Sequence, residues 1–233
     1  IKPGSADENN GMPFDEIELS GSQRAVGVWS KEKFRLDFNK DFHGRTYVNF
    51  GDASIDTDGL AFVLHNDHGG SAPEGRTHPA DTAALTAAYN DADGQNLGVA
   101  GGGSMESSYL AYKYAIQNSF AVGFDFHNNK DGSNRFDKDV SSIGTPHMAY
   151  TFPGQSASYS KSLLLGKGYR AVLKHNATIG LDGNISTNIR DNTWYEFHFS
   201  YNASSMEFTY YLQNPTTGSQ TEPVVFQYSD LSG

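Results

Sequence analysis

The chain contains no cysteine in its 233 residues. That absence excludes thiol nucleophiles, zinc–thiolate centres and disulfide staples together. A domain of this length needs no disulfide, so the lack fits a bacterial surface protein as well as a cytosolic one. Basic residues are also few: 17 Lys and Arg against 27 Asp and Glu leave a net charge of −10. The cations are scattered rather than clustered, so no nucleic-acid partner is expected. No apolar run approaches the roughly 20 residues that a membrane-crossing helix needs, and no membrane insertion is expected. A signal-peptide pattern is missing too, and the opening at Ile1 reads as a mature or excised boundary.

What the chain has is aromatic residues and glycine: 15 Phe, 13 Tyr, 2 Trp and 25 Gly. Phe and Tyr favour strands, and 37% hydrophobic residues suffice for a core. The length fits one large all-β domain or two small ones. Neither an internal repeat nor a low-complexity tract is visible, so a single domain over 1–233 is the simpler reading, with residues 1–13 as a polar leader or linker.

Short runs closed by turn residues follow. Phe34–Phe38 and Thr46–Phe50 alternate apolar with polar, the pattern of half-buried strands. Leu60–Leu64 and Phe120–Val122 are apolar throughout, as strands buried on both faces are. Trp194–Tyr201 and Met206–Tyr211 flank Asn202-Ala203-Ser204-Ser205 and read as a hairpin. Only Asp81–Tyr89 reads as helix, with Asp81 as its N-cap. Many short strands and almost no helix mean a β-sandwich or a closed barrel.

Three loops carry the chemistry. Thr57-Asp58-Gly59 leads directly into the strand LAFVLHND, so the Asp58 carboxylate at its mouth is placed to accept hydrogen bonds from two adjacent sugar hydroxyls. Gly101-Gly102-Gly103 lets a backbone approach a ligand and offers bare N–H donors. In the third loop Asp125, Asn129 and one of Asp137 or Asp139 can give a hard cation oxygen ligands, of which calcium takes six to eight. Each loop alone is an ordinary turn; their order along the chain carries the information. His65 and His68, three apart in a loop, are read as chance rather than zinc ligands.

DGLAFVLHND, then LGVAGGG, then IQNSFAVGFDFHNN, in that order, resembles the L-type (legume-like) lectin family, especially its bacterial surface-adhesin members. TWYEFHFSYNASSMEFTYYL is similar to the hairpin that follows in that family, and the likeness runs from about residue 34 to the C-terminus. The resemblance implies a concanavalin A-like jelly-roll sandwich of two antiparallel sheets. It also implies a calcium-dependent glycan-binding domain, secreted or at a bacterial cell surface, and no enzymatic activity. Asp58 would be the sugar-binding carboxylate, and Gly102 or Gly103 would donate a backbone N–H to the sugar. Asn129 would touch both sugar and calcium. Asp125 would be the main calcium carboxylate, while His127 would lend its backbone carbonyl and stand where relatives place an aromatic ring under the sugar.

Three departures accompany the likeness. Gly123 stands where the family has a Glu that binds a second metal in plant members, so His147 is read as a packed or hydrogen-bonded histidine. The interval from Asn129 to His147 is long, which favours Asp139 over Asp137 as second acidic ligand only narrowly. The family continues beyond the segment matching VVFQYSDLSG, so the jelly roll is expected to lack its C-terminal strands.

Two other readings compete. Glycoside hydrolases share the jelly roll and need two carboxylates about 5–10 Å apart across the scissile bond. One such family writes E-x-D-x-x-E on a strand, and Asp15–Ser20, the nearest string here, lacks the central Asp and the last Glu. The other is a structural module of a cell-wall protein that binds no sugar; substitution of Asp58 or Asn129 would have favoured it, and both are intact.

Overall fold

Strand alternation sorts the aromatic residues onto one face before any packing is considered. In Trp194–Asn202, Tyr195, Phe197, Phe199 and Tyr201 point one way, and Trp194, Glu196, His198 and Ser200 the other. The computed structural model describes residues 28, 36–54, 57–66, 97, 99, 115–127, 146–164 and 168–227. Among them run β1 (Phe42–Asn49), β2 (Gly59–His65), β3 (Ser119–Asp125), β4 (His147–Thr151) and β5 (Tyr159–Leu164). β6 (Gly168–Leu173), β7 (Asn176–Gly180), β8 (Trp194–Asn202), β9 (Glu207–Gln213) and β10 (Val224–Gln227) follow. The expected helix at Asp81–Tyr89 lies outside the described residues.

The strands build two four-stranded antiparallel sheets, β1-β8-β9-β10 and β2-β3-β4-β7, with β5 and β6 as a separate pair. An all-β sandwich of two antiparallel sheets is therefore the fold, as the sequence led us to expect. The sheets meet through their aromatic faces. Phe124 packs edge-on to Phe197 at 5.5 Å, Phe62 lies 5.0 Å from Phe197, and Phe120 sits 4.9 Å from Phe208 and 5.1 Å from Phe226. Val122, Phe197, Tyr210 and Leu212 are fully buried in this layer. Each such side chain contributes about 1.5–3 kcal/mol by leaving water, and the edge-on ring pairs add about 1 kcal/mol.

β2 and β3 fall where the sequence put them, although β2 is half-buried rather than enclosed on both faces. The hairpin of β8 and β9 closes because Asn202 Oδ1 accepts the N–H groups of Ser204 and Ser205 and the Ser204 hydroxyl, at 2.7–3.0 Å. The run ending at Phe38 departs from expectation: described from Leu36 onward, it is not a strand. Asp37 captures the chain there, taking the Asn39 N–H on Oδ1 at 3.1 Å and the Lys40 N–H on its carbonyl at 3.0 Å. Such local side-chain bonding competes with a ladder. Phe38 still reaches the core, edge-on to Phe42 and Tyr201.

Tyr210 is an exception inside the aromatic layer, since its hydroxyl is buried without a hydrogen-bond partner. Burial, then the neighbouring Tyr150, push its ionisation far above the usual tyrosine range, so it stays neutral. Removing an unsatisfied buried polar atom without changing shape relieves a desolvation cost. Tyr210→Phe should therefore raise stability by about 1 kcal/mol in urea unfolding; a loss of stability would show that the hydroxyl has a role in the core.

The solvent face of the same sheet holds a different balance. Glu196, only 8% exposed, receives Arg45 Nη1 at 3.2 Å and lies 2.8 Å from His198 Nε2, while His198 stacks on Tyr211 with ring centroids 4.7 Å apart. Burial pushes the Glu196 carboxyl up, but hydrogen bonds from Tyr47 and His198 and the charge of Arg45 outweigh it and hold the group below the ordinary glutamate range. A depressed folded value contributes stability above the unfolded pKa, and that contribution is lost as pH falls through the folded one. Glu196→Gln should cost about 1–2 kcal/mol near neutral pH. The gap between variant and wild type should close in acid, below about pH 4; a pH-independent gap would contradict this assignment.

Candidate functional site

The end of the β2–β3 pair brings two of the sequence-derived loops together. β2 and β3 are antiparallel with Gly59 opposite Asp125, which sets Asp58 across from Phe126. The Phe126 N–H donates to the Asp58 carbonyl at 2.8 Å, extending the ladder one step beyond the strands. Gly59 makes that approach possible. Its φ is +148°, and a Cβ there would lie 2.0 Å from the Phe124 carbonyl oxygen.

Asp125 closes β3 and turns the chain. Its Oδ1 accepts the His127 N–H at 2.8 Å, an Asx-type bond that bends the backbone away from the sheet. The residue is only 4% exposed. Alternation places Ser119, Ala121, Gly123 and Asp125 on the face of β3 turned away from the aromatic core. Register puts Asp125 beside His147 and Gly123 beside Ala149 on β4, so the carboxylate and the imidazole share that outer face.

His147 is 1% exposed, and its Nε2 lies 3.0 Å from Nδ1 of His175. It is thus a packed and hydrogen-bonded histidine, with a partner that the sequence did not announce. Leu97 occupies the space above Gly123: a Cβ at 123 would meet its Cδ1 at 2.8 Å. A side chain at this position would have to displace Leu97, which itself has a φ of +47°. A cavity of about 30 Å³ remains here, lined by Asp125, His147 and His175 among others, room for about one water. A larger open groove of about 450 Å³ lies on the other sheet, between His43, Ser200, Glu207 and Thr209, and includes none of the expected site residues.

Asp58, Asp125 and His127 are therefore gathered at one end of one sheet. Gly102, Gly103, Asn129, Asp137 and Asp139 lie outside the described residues. Among the described residues no three His, Cys, Asp or Glu side chains converge as a metal site. The part of the expected calcium set that is described is chemically suitable, because a buried carboxylate and a backbone carbonyl are hard oxygen donors. No described helix is long and apolar enough to cross a membrane.

The segment before Asp58 is tied down by a loop the sequence reading missed. Asp52 bridges Asp191, the Ala53 N–H donates to the Arg190 carbonyl at 3.1 Å, and Arg190 Nη2 donates to the Asp52 carbonyl at 2.8 Å. No local signal could have found Arg190, since its partner is 138 residues away.

No family model matches the chain, and no curated protein does. Lectins are among the solved structures it is similar to. The lectin UEA-II complexed with galactose shares 18% identity over 80% of this chain and 54% of that one, with a TM-score of 0.40. The metal-free form of lectin I-B4 from Griffonia simplicifolia shares 17% over 80% and 54%, with a TM-score of 0.38. Lectin I from Ulex europaeus, in complex with the methyl glycoside of α-L-fucose, shares 17% over 82% and 56%, with a TM-score of 0.32. The chain spans about half the length of each.

Proposed function

We propose that the chain is a calcium-dependent carbohydrate-binding domain, the glycan-recognition module of a secreted or cell-surface adhesin, of bacterial origin. The observation that carries this reading is the register of Gly59 with Asp125, which sets the Asp58 segment against the Asp125–His127 turn. That register supports reading the Asp58 loop and the loop after Asp125 as parts of one site.

In that site the Asp58 carboxylate accepts hydrogen bonds from adjacent sugar hydroxyls, and Gly102 or Gly103 donates a backbone N–H. Asn129 contacts the sugar, with the His127 side chain beneath it. Asp125, the His127 carbonyl, Asn129 and Asp139, with Asp137 as second choice, hold the calcium. When bound, the ion supplies divalent charge that lets these carboxylates sit close together. The Asx-type bond from His127 to Asp125 pre-sets the turn from which Asn129 follows two residues later.

Affinity for one sugar should be weak, because a few polar contacts leave little surplus after ordering costs. Multivalent display would compensate. Asp125, nearly buried with Oδ1 bonded to the His127 N–H, is a poor candidate for one of two carboxylates flanking a scissile bond. A glycan array probed with calcium and with excess chelator, followed by product analysis, tests the reading. Reversible, calcium-dependent binding without product supports it. Turnover would assign a hydrolase, and silence a structural module.

A further inference from the structure

Arg190 belongs to none of the motifs that define the site, yet its side chain contacts both the Asp52 backbone and the Phe126 ring beside it. Its Nη2 donates to the Asp52 carbonyl at 2.8 Å, six residues before Asp58. The same guanidinium lies 5.4 Å from the centroid of the Phe126 ring. Phe126 is the residue whose N–H donates to the Asp58 carbonyl, and its ring also packs edge-on to Phe50 at 5.2 Å. One side chain therefore touches Asp52, upstream of Asp58, and Phe126, whose N–H bonds the Asp58 carbonyl from the opposite strand.

The loop that presents Arg190 is itself held in place. The Ile189 N–H donates to Asp182 Oδ1 at 2.8 Å, the Arg190 N–H to Asn188 Oδ1 at 3.0 Å, and the Asn192 N–H to the Gly51 carbonyl at 3.2 Å. Ser186 and Tyr195 both donate to the Asp191 carboxylate. Arginine suits the task because its planar fork donates at one edge while its face lies against a ring. Lysine carries the charge without the plane.

We propose that Arg190 is a positioning residue for the candidate sugar site. It clamps the segment before Asp58 to Phe126 and so sets where the Asp58 carboxylate stands relative to the Asp125–His127 turn. The proposal rests on the glycan-binding reading above for its functional consequence, but its structural half can be tested without any sugar.

The test combines residue-resolved amide hydrogen exchange with binding to immobilised galactose- and fucose-terminated glycans, on the whole chain with calcium present. In Arg190→Ala the Phe126 N–H should exchange roughly tenfold faster, while the amides of Phe197 and Tyr210 in the core keep their wild-type rates. Glycan signal should fall by about tenfold. Arg190→Lys should restore part of both, since it keeps the cation over the ring. Unchanged exchange at Phe126 would overturn the proposal. So would a uniform acceleration across all amides, which would make Arg190 a general stabiliser. A wild-type chain that binds no glycan on a full array overturns the proposed function instead, and the Phe126 exchange then decides the clamp by itself.

Discussion

Replacing Asp125 with Asn should lower calcium affinity by about 100-fold or more and remove glycan binding with it. Asparagine keeps an oxygen for the His127 N–H, so the turn after β3 survives while the negative charge is lost. On the proposed assignment the ion would lose its principal anionic ligand, and Asn129, two residues past His127, would no longer be fixed. The sandwich should stay folded, because its aromatic layer lies on the opposite face of β3 and does not depend on this carboxylate. Chelation of the wild-type chain should reproduce the variant. Calcium titration by calorimetry and circular dichroism on the same samples separate the two effects. Wild-type calcium affinity in Asp125→Asn would remove Asp125 from the metal set.

Gly59→Ala should be the most damaging single methyl in the site. The added Cβ would sit 2.0 Å from the Phe124 carbonyl oxygen and 3.2 Å from the Asp125 Cα, both backbone, at a φ of +148°. No side-chain rotation relieves such a clash; β2 must move away from β3. Overpacking against backbone together with left-handed strain costs about 3 kcal/mol, which lowers the melting temperature of a domain this size by roughly 10 °C. The displacement falls at the register that pairs Gly59 with Asp125, so calcium and glycan binding should weaken even where the variant remains folded. Melting and binding both unchanged would show that the close approach at Gly59 is not needed.

Much of the sandwich was legible because alternation is a strong signal where a sheet buries one face. β8 carries an aromatic at every second position and, with β9, appears where the alternating pattern put it, while β3 appears at the apolar run that marked it. Leu36–Phe38, the described part of another alternating run, forms no strand, because Asp37 offers its own oxygen to the Asn39 N–H and a turn forms instead. Motif order led us to expect Asp58 and Asp125 near each other, and the β2–β3 register, with Gly59 opposite Asp125, brings the two segments together. What the sequence could not show were contacts made across long separations. His175 reaches His147 across 28 residues, and Arg190 reaches Asp52 across 138. Neither follows from spacing or propensity; each depends on how the loops cross once the sheets have formed.

The central claim, that Asp58 serves the sugar while Asp125 serves the ion, is tested most directly by titrating Asp58→Ala with calcium and then with the strongest array glycan. The Asp58 carbonyl, which receives the Phe126 N–H, belongs to the backbone and remains in the variant. Calcium affinity should stay at the wild-type value while glycan binding becomes unmeasurable. Glycan binding by Asp58→Ala at wild-type strength, or glycan binding by the wild-type chain undiminished in excess chelator, would contradict it.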